Sequence, residues 1–207
     1  MPVRAAAEPD TGARLTVVYG SQTGNAKRLA EQLVQQAEAS GLAVRLLRAD
    51  AYPQRELAKE RLLYVVISTQ GDGDAPDDAR GLLDFLASRR APRLDALSFA
   101  VLGLGDSSYP QFCVIGRTLD ARLAELGGKR LFAFGEADLD VETVATPWAR
   151  QALGAARDAL KGAGAAATTS VTPLRPHLEV ATWSATRPFT AEIIATQRIT
   201  TADSAKD

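Results

Sequence analysis

A short polar segment with the sequence GSQTGNAKR, from Gly20 to Arg28, combines two glycines and two hydroxyl side chains just ahead of a helical pattern. Backbone N–H groups at the start of a helix point outward and attract anions. The hydroxyls of Ser21 and Thr23 add donors, and Gly24 permits a tight turn because it has no side chain. The segment therefore predicts a cradle for a phosphate monoester.

The spacing within this segment differs from that of the common nucleotide-binding motifs. Only three residues separate Gly20 from Gly24, and Lys27 is followed by Arg28 rather than by serine or threonine. The segment thus satisfies neither GxxxxGKS/T nor GxGxxG. A nucleotide triphosphatase and a classical dinucleotide site are both disfavoured.

Two further loops are polar, carry glycines and follow apolar runs. One has the sequence STQGDGD at residues 68–74, and the other has LGDSSYPQFC at residues 104–113. Tyr109 and Phe112 are the only aromatic residues of these loops, and a flat ring face is what a planar heterocycle needs for stacking. We expect Tyr109 to stack on a ligand, whereas Phe112 fits core packing equally well.

The composition limits the chemistry that these loops can serve. Cys113 is the only cysteine and His177 the only histidine among 207 residues. A disulfide framework, a Ser/His/Asp triad and a cysteine or histidine metal site are therefore disfavoured. Cys113 fits a buried packing position best. We expect no catalytic acid–base side chain and no metal site.

Charge and hydropathy exclude two classes of partner. The net charge is −1, so the chain lacks the basic field that nucleic acid requires. No run approaches the roughly 18 apolar residues that span a bilayer, and the polar start of the chain lacks the apolar core of a signal peptide. We expect a cytoplasmic protein with neither nucleic acid nor membrane as a partner.

Apolar runs alternate with helical patterns, which predicts a parallel sheet covered by helices on both faces. The expected fold class is α/β, a doubly wound five-stranded sheet with strand order 2-1-3-4-5. The predicted strands are Leu15–Tyr19, Ala43–Leu47, Leu62–Ser68, Leu97–Leu104 and Arg130–Phe134. The predicted helices are Asn25–Ser40, Ala79–Arg90, Ile115–Leu126 and Val141–Leu160, with a helical turn at Gln54–Lys59. Ligands of such sheets bind beyond the carboxyl ends of the strands, so the three loops should form one site.

Composition divides the chain into four parts. Residues 1–14 form a polar N-terminal tail, and residues 15–160 form the α/β domain. Residues 161–187 are rich in Gly, Ala, Thr and Pro, which predicts a linker. Residues 188–207 include the strand-like run PFTAEIIATQRI, which we interpret as the truncated start of a second domain.

The segments YGSQTGNA, STQGDG and GLGDSSYPQFC together resemble the FMN domain of the diflavin reductases, and most closely the flavoprotein subunit of NADPH-sulfite reductase. The likeness runs from about Leu15 to Leu160. The later segments RPFTAEIIATQRIT and SAKD are similar to the entry into the FAD-binding domain of that subunit. This resemblance implies a flavodoxin-like fold.

The resemblance also implies FMN as the cofactor and gives each loop a role. The phosphate would be held by Ser21, Gln22, Thr23, Gly24, Asn25 and Ala26. The isoalloxazine would contact Ser68, Thr69, Gln70 and Gly71. The ring and ribityl chain would be wrapped by Leu104, Gly105, Asp106, Ser107, Ser108, Tyr109, Pro110, Gln111, Phe112 and Cys113. Related cytochrome reductases carry an aromatic residue where this chain has Gln70, which favours the sulfite reductase branch.

Members of that family relay electrons from NADPH through FAD and FMN to a haem protein, so the cofactors supply the chemistry. The implied partners are the FAD/NADPH-binding domain of the parent chain and the haemoprotein subunit of an assimilatory sulfite reductase. FAD and NADPH sites are expected only in the complete parent protein, so this chain alone is not expected to oxidise NADPH. The acidic runs at residues 72–78 and 136–142 are candidates for docking a basic partner surface.

Three other classes share the predicted architecture. The FMN domain of a cytochrome reductase-type diflavin enzyme and a free-standing flavodoxin or quinone reductase could use the same phosphate loop. A receiver-type regulatory domain would need a phosphorylatable aspartate at the end of strand three, where this chain has Ser68 and Thr69. Architecture alone does not separate these classes.

Overall fold

The computed structural model describes residues 14–166 of the chain. The strands are β1 (Leu15–Gly20), β2 (Val44–Arg48), β3 (Leu62–Ser68), β4 (Ser98–Leu104), β5 (Lys129–Arg130) and β6 (Gly135–Ala137). The helices are α1 (Asn25–Ala39), α2 (Arg80–Ala87), α3 (Val114–Glu125) and α4 (Val141–Ala166), with 3₁₀ turns at Ala49–Ala51 and Gln54–Lys59. The predicted N-terminal tail, His177, most of the predicted linker and the predicted start of a second domain lie outside the described residues.

The strands form one parallel sheet with the order β2-β1-β3-β4, and both β5 and β6 pair with the outer side of β4. This confirms the predicted α/β class and the order 2-1-3-4-5. Parallel pairing brings the carboxyl ends of all strands to one edge. None of the helices between residues 14 and 166 has the length and apolar character that crossing a membrane requires.

The central strand β3 is buried on both faces, as an almost wholly apolar run predicts. Its alternate side chains point to opposite sides because a strand has a period of two. Tyr64 and Val66 belong to a core cluster with α1 and α4. Val65 and Ile67 belong to a second cluster with α2 and α3. Helices therefore cover both faces and leave the strand ends open.

The predicted fifth strand, Arg130–Phe134, is wrong in its extent. Arg130 pairs with Phe99 and Gly135 with Leu102, so the intervening segment is longer than its partner on β4 and loops out. Phe132 packs edge-on against Tyr64 and Trp148 in the α1/α4 cluster.

Phe134 belongs to the opposite, α2/α3 cluster, and its ring lies 2.6 Å from where a Cβ on Gly103 would stand. Residues two apart share a face in a regular strand. The backbone must therefore leave the strand geometry to bury Phe132 and Phe134 on opposite faces.

Two helices end more than one residue away from the predicted position, whereas α1 and α3 each end one residue earlier than predicted. Helix α2 stops at Ala87, before the predicted Arg90, because Ser88 adopts an extended conformation and its hydroxyl donates to the Phe85 carbonyl at 2.7 Å. Helix α4 continues to Ala166, beyond the predicted Leu160.

Candidate functional site

The three loops predicted to carry the chemistry lie at the carboxyl edge of the sheet. Gly20 at the end of β1 is level with Ile67 of β3, and Ser68 is level with Leu104 of β4. The Thr69 N–H donates to the Leu104 carbonyl at 2.7 Å, which joins the second loop to the third. The sheet thus brings the predicted site residues together from three distant parts of the sequence.

The first loop forms an open turn before α1. Gly24 has a φ of 91°, in the left-handed region that favours glycine, and a Cβ placed on it would meet no atom within 4 Å. The Gly24 N–H donates to the Ser21 hydroxyl at 3.0 Å, which fixes the turn. The residues Gln22 and Thr23 are both exposed. Together these residues border an open space at the helix start.

The donors around this space are neutral backbone groups. The first hydrogen bond of α1 runs from the Arg28 N–H to the Gly24 carbonyl at 2.9 Å, so the N–H groups of Asn25 and Ala26 have no acceptor within residues 14–166. The nearby cations are already paired, Arg28 with Glu142 at 2.6 Å and Lys27 with Glu31 at 3.7 Å. An anion here would be held mainly by backbone dipoles.

The second loop closes a tight turn from Gln70 to Asp74. The Gln70 N–H donates to the Asp74 carbonyl and the Asp74 N–H donates to the Gln70 carbonyl, each at 2.9 Å. Gly71 and Gly73 have positive φ values of 41° and 116°, which the turn requires. The Thr69 hydroxyl accepts the Ile115 N–H at 3.2 Å, so this loop is also tied to α3.

The side chain of Gln70 carries an unusual feature. Its Nε2 atom is buried and has no hydrogen-bond partner in the described part of the chain. A buried amide donor without an acceptor costs about 1–3 kcal/mol. A ligand with an acceptor at this position would remove that cost.

The third loop exposes one aromatic ring and buries another residue. Tyr109 is 42% exposed, and among residues 14–166 only Leu139 is another exposed large apolar residue, whereas Phe112 is half-buried. A Cβ on Gly105 would stand 3.0 Å from the Phe112 ring, so Phe112 packs against its own loop. Tyr109 is therefore the aromatic side chain whose ring is free to cover a ligand.

Cys113 ends the third loop with its side chain buried against the sheet. Its thiol donates to the Ala137 carbonyl at 3.9 Å. Burial, with a smaller contribution from the nearby Glu136 carboxylate, raises the pKa of the Cys113 thiol to about 12. A neutral, inaccessible thiol has no nucleophilic role, which agrees with the packing position predicted from the sequence.

A fourth loop, between β6 and α4, contributes a residue that the sequence did not assign to the site. The Asp138 carboxylate accepts the Ser107 N–H at 3.0 Å, the Ser107 hydroxyl and the Leu139 N–H at 2.8 Å. These hydrogen bonds hold the pKa of Asp138 below its usual value. The one sequence signal for Asp138 was its place after the predicted fifth strand, at the same edge of the sheet as the other loops.

The two acidic runs turn out to be engaged mainly within the chain. Asp78 accepts the Ser21 N–H, and Asp77 pairs with Arg80 at 3.1 Å. The second run is bound likewise: Glu136 pairs with Arg117, Asp138 accepts from Ser107, Asp140 accepts the Thr143 hydroxyl and Glu142 pairs with Arg28. Asp72 and Asp74 form no ion pair within the described residues, so they are the carboxylates most available to a partner.

The flavodoxin family profile matches residues 17–151, which contain the sheet, its helices and all four loops. The chain belongs to the flavodoxin family. FMN is the cofactor of this family. The flavodoxin of Pseudomonas aeruginosa, solved as a cysteine-to-serine mutant, superimposes with a TM-score of 0.61 at 28% identity, over 70% of this chain and 99% of that one.

Longer relatives share higher identity with this flavodoxin-family chain. It is 42% identical over 194 residues to the sulfite reductase (NADPH) flavoprotein alpha-component of Vibrio cholerae, covering 94% of this chain and 31% of that protein. It is 40% identical over 203 residues to the alpha-component of Aliivibrio fischeri, covering 98% and 34%. The chain therefore spans about a third of the length of these relatives.

The residues at the carboxyl edge fit FMN on two observations. The turn at Gly24 leaves open space beside unpaired backbone donors, as a phosphate monoester requires. The unpartnered Nε2 of Gln70 matches the carbonyl and nitrogen acceptors of an isoalloxazine. Neither feature has a use inside the described chain.

Proposed function

We propose that this chain is an FMN-dependent electron-transfer module of a sulfite reductase flavoprotein. The observation that carries the proposal is the meeting of the phosphate loop with the loops bearing Gln70 and Tyr109 at one sheet edge. The identity of 40–42% to sulfite reductase flavoprotein alpha-components favours this branch over cytochrome reductases and free-standing flavodoxins.

The phosphate loop, Ser21 to Ala26, would hold the FMN phosphate. Its donors are backbone N–H groups with the hydroxyls of Ser21 and Thr23, and they act through the dipole of α1. Because Lys27 and Arg28 are paired with carboxylates, the bound phosphate keeps its negative charge. The loop anchors the cofactor without neutralising it.

The flavin ring would lie between the second and third loops, Ser68 to Gly71 and Leu104 to Cys113. Tyr109 would cover one face of the ring, and the Gln70 amide would donate to an acceptor at its edge. The hydrogen-bonded turn around Gly71 and the contacts of Ser107 keep both loops in place.

Bound FMN supplies the chemistry, because it accepts a pair of electrons and passes them on singly. The residues of this chain set the position of the flavin and how readily it gives up electrons. Asp72, Asp74 and Asp106 lie in the second and third loops, at the carboxyl edge of the sheet. The described loops contain no unpaired cation to offset these carboxylates. Their negative field would disfavour negative charge on the flavin ring. The protein therefore favours the role of electron donor.

The partners in this proposal are an FAD/NADPH-binding domain of the parent chain as electron source and a sulfite reductase haemoprotein subunit as acceptor. We place the relay in the cytoplasm, and the single free, buried cysteine among the described residues supports that location.

The test of the cofactor is the visible spectrum of the purified chain, followed by release and identification of the flavin. We expect a yellow protein that yields FMN, or a colourless one that binds added FMN stoichiometrically. Failure of the protein to bind added FMN would refute the proposal.

The test of the acceptor uses the FMN-loaded chain after reduction with dithionite. We expect it to reduce a bacterial sulfite reductase haemoprotein subunit faster than cytochrome c, as followed by reoxidation of the flavin absorbance. Faster reduction of cytochrome c would instead assign the chain to the cytochrome reductase branch.

A further inference from the structure

The phosphate loop is held against a second segment by three consecutive residue pairs. A Cβ on Gly20 would stand 2.9 Å from that of Ala79. The Ser21 N–H donates to both carboxylate oxygens of Asp78, at 3.1 and 3.3 Å. Residues 20–22 thus face residues 77–79, and we call this pair of segments the loop clasp.

The third pair of the loop clasp is reciprocal. The Gln22 amide donates to the Asp77 carboxylate at 3.5 Å, and the Gln22 carbonyl oxygen accepts the Asp77 N–H at 3.4 Å. The pairing runs in opposite chain directions, with residue 20 beside 79, 21 beside 78 and 22 beside 77. The clasp thus joins the phosphate loop to the segment that follows the second loop.

Asp78 is the charged member of the clasp that binds the backbone of the phosphate loop. It holds the Ser21 N–H on one side, while the Ser21 hydroxyl holds the Gly24 N–H at 3.0 Å on the other. Gly24 has the open, left-handed conformation that shapes the cradle. A chain of hydrogen bonds therefore runs from Asp78 through Ser21 to the cradle.

The charge of Asp78 is unfavourable where it lies. Burial, together with the Asp50 and Asp77 carboxylates, raises its pKa, against the Ser21 N–H and Arg48, which lower it. Arg48 is itself bound by Asp50 through two hydrogen bonds of 2.6 Å. A carboxylate beside a phosphate site repels the ligand, so the useful property of Asp78 is its acceptor oxygen.

We propose that Asp78 is a positioning residue for the FMN phosphate, which shapes the Ser21–Gly24 cradle through the acceptor that it offers to the Ser21 N–H. This inference rests on the proposed FMN site. In this proposal Asp78 strengthens binding of the FMN phosphate and does not affect binding of the rest of the flavin.

The first experiment titrates the full chain and its variants with FMN and with riboflavin, which lacks the phosphate, and follows flavin fluorescence. We expect Asp78→Ala to reduce the preference for FMN over riboflavin about tenfold, since the Ser21 N–H loses the acceptor that shapes the cradle. Asp78→Asn retains an acceptor oxygen and should bind FMN at least as tightly as the wild type. The control Asp84→Ala removes an exposed carboxylate from α2 and should change neither affinity.

The proposal is overturned if Asp78→Ala keeps the wild-type preference, if it weakens both flavins equally, or if Asp78→Asn is as impaired as Asp78→Ala. A second measurement separates this result from failure of the proposed function. In the FMN-free chain, amide hydrogen exchange at Ser21 should be faster in Asp78→Ala than in the wild type, Asp78→Asn or Asp84→Ala. If the wild type binds no FMN, the proposed function fails. If exchange at Ser21 is the same in Asp78→Ala and in the wild type, the clasp does not order the loop, whatever the flavin titration shows.

Discussion

Tyr109 is 42% exposed although aromatic residues usually bury their large apolar area. Its neighbours Ser108 and Pro110 are also exposed, so this part of the third loop faces solvent. Such a side chain contributes little to folding and is available to a ligand.

We therefore predict that Tyr109→Ala lowers the affinity for FMN by about tenfold or more, which corresponds to about 1.4 kcal/mol of lost stacking. Tyr109→Phe retains the ring and should stay within about threefold of the wild type. Fluorescence titration measures both. Chemical unfolding of the FMN-free chain should show equal stability for all three proteins, and wild-type affinity in Tyr109→Ala would contradict the stacking role.

Cys113 makes the stability of the FMN-free chain sensitive to alkaline pH. Its folded-state pKa is raised to about 12, whereas a thiol in an unfolded chain ionises near about 8.5. Above that value the unfolded state loses a proton that the folded state keeps, so the free energy of unfolding falls as the pH rises.

We expect the wild type to lose up to about 1.4 kcal/mol of stability per pH unit more than Cys113→Ala does between pH ~9 and ~10. Urea unfolding at a series of pH values measures the difference. Parallel pH profiles for the two proteins would show that the thiol is not the group responsible.

At the scale of elements, a buried polar network ties β1, β2 and the turn before β3. The Thr16 hydroxyl donates to Glu60 at 3.0 Å and accepts from the Arg45 Nε at 3.0 Å, while Arg45 also donates to Glu60 and to Glu56. Thr16 and Glu60 are buried. Removing one charge from such a network leaves the other uncompensated in a poorly solvated place.

Arg45→Met should accordingly destabilise the fold by about 3 kcal/mol, because it leaves the Glu60 carboxylate unpaired. The matched control is Arg93→Met, which removes the exposed contacts with Asp95 and with the Glu125 carbonyl and should have little effect. Denaturant unfolding compares the two. Equal stability of the two variants would mean that the network is solvated in solution.

Some elements of the fold were predictable from the sequence, and one strand was not. β3 is apolar at every position but its last, and α1 carries Leu29 and Leu33 on one face, so local patterns sufficed. The predicted strand Arg130–Phe134 also looked regular. Its interruption depends on Gly103 and Gly116, which make room for Phe134 from elsewhere in the chain, and no local pattern contains that information.

Over the whole described domain, the carboxyl edge of the sheet is acidic, but most of its carboxylates are held by internal partners. Asp138 and Asp78, which the sequence placed in runs suited to docking, instead hold the third loop and the phosphate loop. Asp72 and Asp74 are exposed and lack ion pairs among the residues described. If a basic haem protein docks here, these two carboxylates carry the long-range attraction.

We predict that electron transfer from the reduced chain to the haemoprotein slows by about tenfold as salt rises from about 0.05 to 0.5 M, since screening shortens the reach of surface charges. The double variant Asp72→Asn, Asp74→Asn should be slower than the wild type at low salt and equal to it at high salt. Stopped-flow kinetics measures both. The exposed Asp95→Asn serves as control, and a flat salt profile would exclude electrostatic docking.

The fold class and the three loops of the candidate site were predictable from the sequence, because each follows from a local pattern: an apolar run, a helical period, or glycine and hydroxyl residues between them. The strand order followed from the right-handed crossovers that such alternation requires. The sequence also supported FMN, through loops that resemble those of diflavin reductases. Which side chains contact one another was visible only in the folded chain. The hold of Asp78 on Ser21 and of Asp138 on Ser107, the orphaned amide of Gln70 and the packing of Phe112 against Gly105 are contacts across loops. Their partners are set by how adjacent strands bring separate loops to one edge, and hydrogen-bond satisfaction is a property of that arrangement rather than of any one segment.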